Sequence, residues 1–201
     1  MNPLKTIKGT LILGFVTAVV IAVLINQGVT DSAMGGLNAW SLVVWLHVFF
    51  GVIWVGLLYY FNFVQTPALA AAAADSDGPG PAAIGKYVAP LALLWFRWAA
   101  LLTWLTGAAA LEVMGIGLMN AFALGSGAVV IGTGAWLGTI MLFNVWVLIW
   151  PNQKKILGIV EASDEEKAKA RVVAAMASRT NTFLSIPMLM CMVGYGHGLP
   201  F

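Results

Sequence analysis

An all-α integral membrane bundle of five transmembrane helices is the fold class this sequence predicts, and three observations carry the prediction. Hydrophobic residues make up 61% of the 201, charged residues 9%, and the mean hydropathy is +0.91, whereas a soluble domain carries about 25% charged residues. The apolar runs reach the roughly 20 residues a spanning helix needs and lack the short alternating pattern of a transmembrane barrel strand. The basic residues fall in segments that a single orientation gathers on one side. Nine Trp and 22 Gly suit the same class, because aromatic residues collect at bilayer interfaces and glycine is commoner in spanning helices.

The first span, 9–29, follows Lys5 and Lys8. A basic start before an apolar stretch also describes a secretory signal, with Ser32-Ala33-Met34 as a poor cleavage site, but this stretch is too long for one and is expected to be retained. A linker over 30–38, with Asp31 and Gly35-Gly36, leads into the second span, 39–64, which Pro67 is expected to end. The alanine-rich stretch 68–83, running into Asp75-Ser-Asp-Gly-Pro-Gly-Pro81, reads as a loop. The third span, 87–113, embeds Arg97 in Trp95-Phe-Arg-Trp98 and carries Glu112 near its end. A charge-free turn, 115–120, precedes the fourth span, 121–150, which is about 30 residues long and so must tilt, project or break in its Gly-rich first half. Pro151 marks its expected end.

Residues 152–180 form the one polar segment of any length. Glu161, Asp164, Glu165 and Glu166 precede Lys167, Lys169, Arg171 and Arg179, an order that suits a helix macrodipole, and Asp164–Lys167 and Glu165–Lys169 have helical spacing. The segment predicts an amphipathic helix lying on the membrane surface. The fifth span, 181–195, contains Pro187, which should kink it. With a cytoplasmic N-terminus, five spans put Lys5, Lys8, Lys86 and the whole Lys154 to Arg179 set on the cytoplasmic side, and the C-terminus on the outer side.

Within this frame the stretch Trp45-Leu-His-Val-Phe-Phe-Gly-Val-Ile-Trp-Val-Gly56 stands out, because it holds one titratable imidazole among apolar residues. On a helix His47, Gly51, Trp54, Leu58 and Asn62 share one stripe. Entering from the outside near Ala39, His47 lies roughly 12 Å deep at about 1.5 Å per residue. His197, at the outer end of the last span, approaches the same level, and these are the two histidines of the chain. Two histidines from different spans, with Gly51 and Gly56 admitting a flat ring close to the backbone, suit the axial ligands of a b-type haem iron. The alternative has His47 hydrogen-bonded across helices and His197 solvated.

Arg97 is costly in a span unless paired, solvated or able to snorkel. It either holds an acidic group such as a haem propionate, or reaches the interface or a backbone carbonyl. Glu112, about 22 Å further along the same helix, cannot be its direct partner. Cys191, the single cysteine, excludes an intrachain disulfide and reads as a small apolar packing residue. Gly134-Ala-Trp-Leu-Gly138 permits close helix contact, and Trp40, Trp45, Trp146 and Trp150 suit interfacial anchoring. There is no phosphate-binding Gly loop, no nucleophile elbow and no basic surface of nucleic-acid type, which sets soluble-enzyme chemistry and nucleic-acid partners aside.

Trp45-Leu-His-Val48, Gly51-Val-Ile-Trp54-Val-Gly56, Lys86-Tyr-Val-Ala-Pro90, Trp95-Phe-Arg-Trp98 and Thr103-Trp-Leu-Thr-Gly107 resemble the membrane domain of bacterial membrane-bound urate hydroxylase. So do Thr139-Ile-Met141, Asn144-Val145, Pro151-Asn-Gln153 and Thr180-Asn-Thr-Phe-Leu-Ser-Ile-Pro187, with His197 near the end. The resemblance implies a helical membrane domain of the bacterial inner membrane, with a haem held by His47 and His197 and framed by Gly51, Trp54 and Arg97. It also implies an outer-side cytochrome c as electron acceptor. The chain departs from the family in lacking several spans between its third and fourth and the C-terminal cytochrome c domain. The family's further histidines fall on Ala83, Ala92 and Gly132, and an acidic residue on Ala99, so urate chemistry is not carried over.

Two functions follow. One is a reduced urate-hydroxylase-like redox protein with a b haem. The other is a non-catalytic subunit, embedded in the lipid bilayer, that packs against other membrane subunits of a larger respiratory or photosynthetic complex. A channel or transporter would need a polar path, and Asn62, Gln65, Arg97 and Asn144 are too few to line one.

Overall fold

The structure, a computed structural model, describes residues 2–29 and 38–200. Of the linker expected over 30–38, residues 30–37, with Asp31, Gly35-Gly36 and the Ser32-Ala33-Met34 stretch, lie outside them. The described residues form helices and turns with no strand. Four helical stretches are long and apolar enough to cross a membrane: Ile7–Leu24, Ala39–Ala74, Ile84–Val113 and Val129–Ile156. The protein is thus an all-α chain of multi-pass membrane type. Two compact units divide it, Met1–Asn38 and Ala39–Phe201. In the first, a short 3-10 turn at Pro3–Lys5, with Leu4 N–H donated to Asn2 Oδ1 at 2.9 Å, leads into α1, Ile7–Val29.

The second unit contains α2 (Ala39–Tyr59), α3 (Thr66–Ala74), α4 (Ala89–Val113), α5 (Leu118–Phe122), α6 (Val129–Phe143), α7 (Trp150–Ile156) and α8 (Asp164–His197). Pairwise contacts fix their directions. His47 meets Thr103 while Phe61 meets Phe96, so α2 and α4 are antiparallel. Trp104 meets Thr139 while Trp98 meets Trp146, so α4 and α6 are antiparallel. Gly134 lies against Cys191 while Asn144 meets Asn181, so α6 and α8 are too. The result is an up-down-up-down bundle whose centre is Trp54, Leu58, Phe96, Ala100, Met141 and Val145. Between lipid-exposed helices apolar burial supplies little drive, so close packing and hydrogen bonds between helices hold such a bundle together.

The prolines do not end the helices as the sequence suggests. Pro67, Pro90 and Pro151 each sit at the second position of a helix that continues one before it, and each is preceded by a wider π turn: Tyr60–Gln65, Ile84–Val88 and Asn144–Ile149. Thr66, Ala89 and Trp150 donate to carbonyls five residues back, on Phe61, Ile84 and Val145. A proline clashes with the carbonyl four residues back, and one extra residue in the turn moves that carbonyl aside. The second span therefore runs on to Ala74, the 68–83 loop shrinks to a turn at 75–81, and the fourth runs to Ile156.

The long fourth span breaks in its Gly-rich first half, between α5 and α6 over residues 123–128. The surface helix expected over 152–180 is corrected more strongly. After a turn in which Gly158 takes φ +71°, α8 runs unbroken from Asp164 through Pro187 to His197. Its charged turns are a coaxial extension of its apolar turns, because Ala170, Ala174 and Ala177 are buried at four- and three-residue spacing and continue the packed face that Asn181, Ser185 and Met188 carry further on.

The charge pairs at the start of α8 are those the sequence predicts. Lys167–Asp164 and Lys169–Glu165 pair at 3.9 and 2.8 Å. Ser163 and Glu166 form a reciprocal cap, Ser163 N–H to Glu166 Oε2 at 2.8 Å and Glu166 N–H to Ser163 Oγ at 3.2 Å. The bonds with Ser163, then the Lys155 charge, hold the Glu166 carboxyl below its ordinary value. Because the folded value is the lower one, the cap's contribution is complete above the ordinary carboxylate range and is lost as pH falls through the depressed value. Hydrogen exchange at amides 164–167, corrected for intrinsic rate, should show protection falling in acid for the wild type and no such step for Glu166→Gln.

Candidate functional site

The helical stripe that includes His47 is the packing face of α2 on α4. Gly51 lies opposite the Thr103 methyl, since a Cβ there would stand 3.7 Å from it. Trp54 and Leu58 are buried at 2% and 0% exposure. Asn62, the fifth member, is turned toward α8 by the π turn and donates to Leu58 O at 2.9 Å and Ser178 Oγ at 2.8 Å. An extra residue per turn shifts the phase of everything after it, which a constant helical period does not anticipate.

His47 itself sits half-buried with Nδ1 2.8 Å from the carbonyl oxygen of Thr103. A carbonyl only accepts, so Nδ1 carries the proton and Nε2 keeps its lone pair. The ring lies against Gly107, where a Cβ would stand 2.8 Å from Cε1 and 3.0 Å from Nδ1. The Thr103 carbonyl accepts this bond beside its helical duties, while the Thr103 hydroxyl turns back to Ala99 O at 2.7 Å. Neither Thr103 nor Gly107 is singled out by the sequence as a partner of His47, because nothing in one helix marks which residue of another it will meet.

The other expected site residues are divided between places. His197 ends α8, exposed, with Nδ1 3.2 Å from Val193 O. Tyr59 bonds Ser185 across α2 and α8; His47 lies twelve residues before the one and His197 twelve after the other, about 18 Å along each axis. Both imidazoles therefore lie toward the same end of the bundle, each bonded to its own neighbour. Arg97 is not with them. Six residues before Thr103, it stacks its guanidinium 3.8 Å from the centroid of Trp150, a cation–π contact. Glu112, which the sequence separates from Arg97, accepts the Leu118 N–H at 2.7 Å and closes the turn after α4.

Two polar groups join α8 to its neighbours, one to α6 and one to α2. Asn181, at 0% exposure, donates to Met141 O at 2.9 Å and accepts from Asn144 Nδ2 at 2.8 Å. Ser185 Oγ donates to Thr182 O at 2.7 Å, which leaves Tyr59 as the donor of their 2.9 Å bond. Trp54 Nε1, Trp146 Nε1 and Gln65 Oε1 are buried without a partner among the described residues. Cys191 is buried against Gly134, as its apolar reading predicts. No cluster of three metal-ligating side chains occurs among the described residues.

Asn144 and the Thr180–Pro187 block thus meet through Asn181 in the second half of the chain. Residues 110–201 match the urate oxidase N-terminal family. The match takes in the end of α4 and all of α5 to α8, and agrees with the resemblance read from those blocks. It includes His197, Asn144, Asn181 and Trp150, whereas His47, Gly51, Trp54 and Arg97 precede it. No curated protein and no solved structure matches the chain. The matched segment therefore supplies the α6–α8 polar contacts, while His47 and the two residues it meets, Thr103 and Gly107, lie before it.

Proposed function

We propose that this protein is a urate-hydroxylase-like membrane redox protein in which His47 and His197 would hold a b-type haem. The observation that carries this reading is the Nδ1–H bond from His47 to Thr103 O. Ligating histidines characteristically donate their other ring N–H to a carbonyl or carboxylate, which fixes the ring and leaves Nε2 as the donor atom. Among the described residues His47 Nε2 makes no hydrogen bond, and Gly51 and Trp54 follow it on the same stripe of α2. His197, solvent-exposed on the last turn of α8, keeps its own Nε2 open. A bound haem would supply one-electron transfer, to an outer-side cytochrome c under this reading. Arg97 stands apart, on Trp150.

The proposal includes five spans, α8 being the fifth, in a bacterial inner membrane with a cytoplasmic N-terminus, because this orientation puts Lys86 and the Lys154–Arg179 set inside. A second reading is favoured by one contact: the His47 ring fills the gap over Gly107, as a residue used purely for helix packing would. On that reading the chain is an accessory subunit of a larger membrane complex.

The absorption spectrum of protein expressed with haem supply separates the two. A Soret band that His47→Ala abolishes supports the redox protein. No Soret band in the wild type refutes it. On the accessory reading His47→Ala leaves the spectrum unchanged and costs about 1–3 kcal/mol of stability through one buried hydrogen bond.

A further inference from the structure

A groove of about 490 Å³ lies between α4 and α6, lined by Leu101, Trp104 and Leu105 on one side and Thr139, Leu142, Phe143 and Trp146 on the other. Two of its three polar side-chain groups are engaged with each other and the backbone, Trp104 Nε1 donating to Thr139 Oγ1 at 2.8 Å and that hydroxyl to Ala135 O at 2.8 Å; the third, Trp146 Nε1, is buried without a partner among the described residues. What remains is an apolar channel of a size that holds one small apolar ligand. Leu105 and Phe143 on its walls are 48% and 54% exposed, so the groove opens onto the face that lipid covers.

The same two helical rows continue past the groove to a cationic end. Arg97 is four residues before Leu101, one turn on along the same face of α4, and Trp150 follows Trp146 at the end of the π turn Asn144–Ile149. There Arg97 lies 3.8 Å from the Trp150 ring centroid and Lys154 Nζ 6.0 Å from it. Neither cation has a carboxylate partner among the described residues, since the ion pairs are those of Lys155, Lys167 and Lys169. Two unpaired cations beside one aromatic ring, at the end of an apolar groove, match a molecule with a negative head and an apolar tail.

We propose that the α4–α6 groove and its Arg97–Lys154 end bind one anionic phospholipid, the acyl chain in the groove and the phosphate head at Arg97 and Lys154. Basic pockets between spanning helices characteristically select anionic headgroups, and a zwitterionic choline head would set a third cation beside these two. The proposal depends on α4 and α6 crossing a bilayer and is independent of any haem at His47.

Native mass spectrometry of the full chain, released from nanodiscs of equimolar phosphatidylglycerol and phosphatidylcholine with the same acyl chains, tests it. The wild type should retain phosphatidylglycerol over phosphatidylcholine on the order of tenfold, from two basic residues near the surface. Arg97→Gln with Lys154→Gln should bring that ratio to about one, and Leu142→Trp, which fills the groove, should lower total retained lipid. Lys167→Gln should leave the ratio unchanged. Equal retention of both lipids by the wild type overturns the proposal. So does a groove occupied by a second copy of the chain, seen as a dimer without lipid. Should the double variant fail to fold, the wild-type ratio and Leu142→Trp decide.

Discussion

Gly132→Ala should lower stability by about 3 kcal/mol, the upper end for overpacking. A Cβ at Gly132 would run into the carbonyl oxygen of Ala121 and stand 3.0 Å from both the Ala121 carbonyl carbon and Leu124 Cδ2. Backbone cannot rotate away as a flexible side chain can. The corner between α5 and α6 is already committed, with Ala121 and Ala128 at 0% exposure and Leu124 in the left-handed region at φ +52°. To admit a methyl group, α6 must move off α5, and with it the Gly134 contact to α8. Gly138, on the same helix, has nothing within 4 Å of a built Cβ, so Gly138→Ala should be neutral or stabilising by up to about 1 kcal/mol through helix propensity. Unfolding midpoints in mixed detergent measure both, and equal losses for the two variants would refute this account of the corner.

Asn181→Leu should cost about 2 kcal/mol. Asn181 joins α8 to α6 twice, through Asn144 and the Met141 carbonyl. Its removal leaves Asn144 Nδ2, on a residue 7% exposed, as an unpaired donor in an apolar interior, and the unmade bond is the larger part of the loss. Individual interhelical bonds in membranes are worth about 0.6 to 1.7 kcal/mol, so two shared bonds reach the stated figure. Asn144→Leu combined with Asn181→Leu should cost less than the sum of the single changes, since the double variant strands no donor. Additive losses would mean the pair is not coupled and the contact does not hold α6 on α8.

The site was legible one helix at a time. The helical period put His47, Gly51, Trp54 and Leu58 on one face, and they share it. The same period failed for Asn62, because the π turn ahead of Pro67 inserts a residue that apolar spacing does not reveal. Prolines read as helix ends turned out to be passed by wider turns, a solution local rules for an ordinary helix do not contain. The break over 123–128 was one of three options the length of the stretch left open, and the packing of α5 on α6 selected it. Arg97 invited an acidic partner, and found an aromatic one, Trp150, more than fifty positions away.

What the sequence determined by itself is the solvent and the class of structure. Few charges and long apolar runs require backbone groups satisfied within each segment, which in lipid means helices; the Asp164–Lys167 and Glu165–Lys169 pairs, each within one or two turns, were legible in the same way. Only the tertiary structure decided the partners. Thr103 and Gly107 for His47, Asn181 for Asn144 and Trp150 for Arg97 are contacts between helices, and a periodic pattern states which face is turned inward without stating what it meets. The order of the spans already brought the two histidines toward one end; the register of α2 against α8, set by contacts such as Tyr59 with Ser185, is a quantity that no single helix carries.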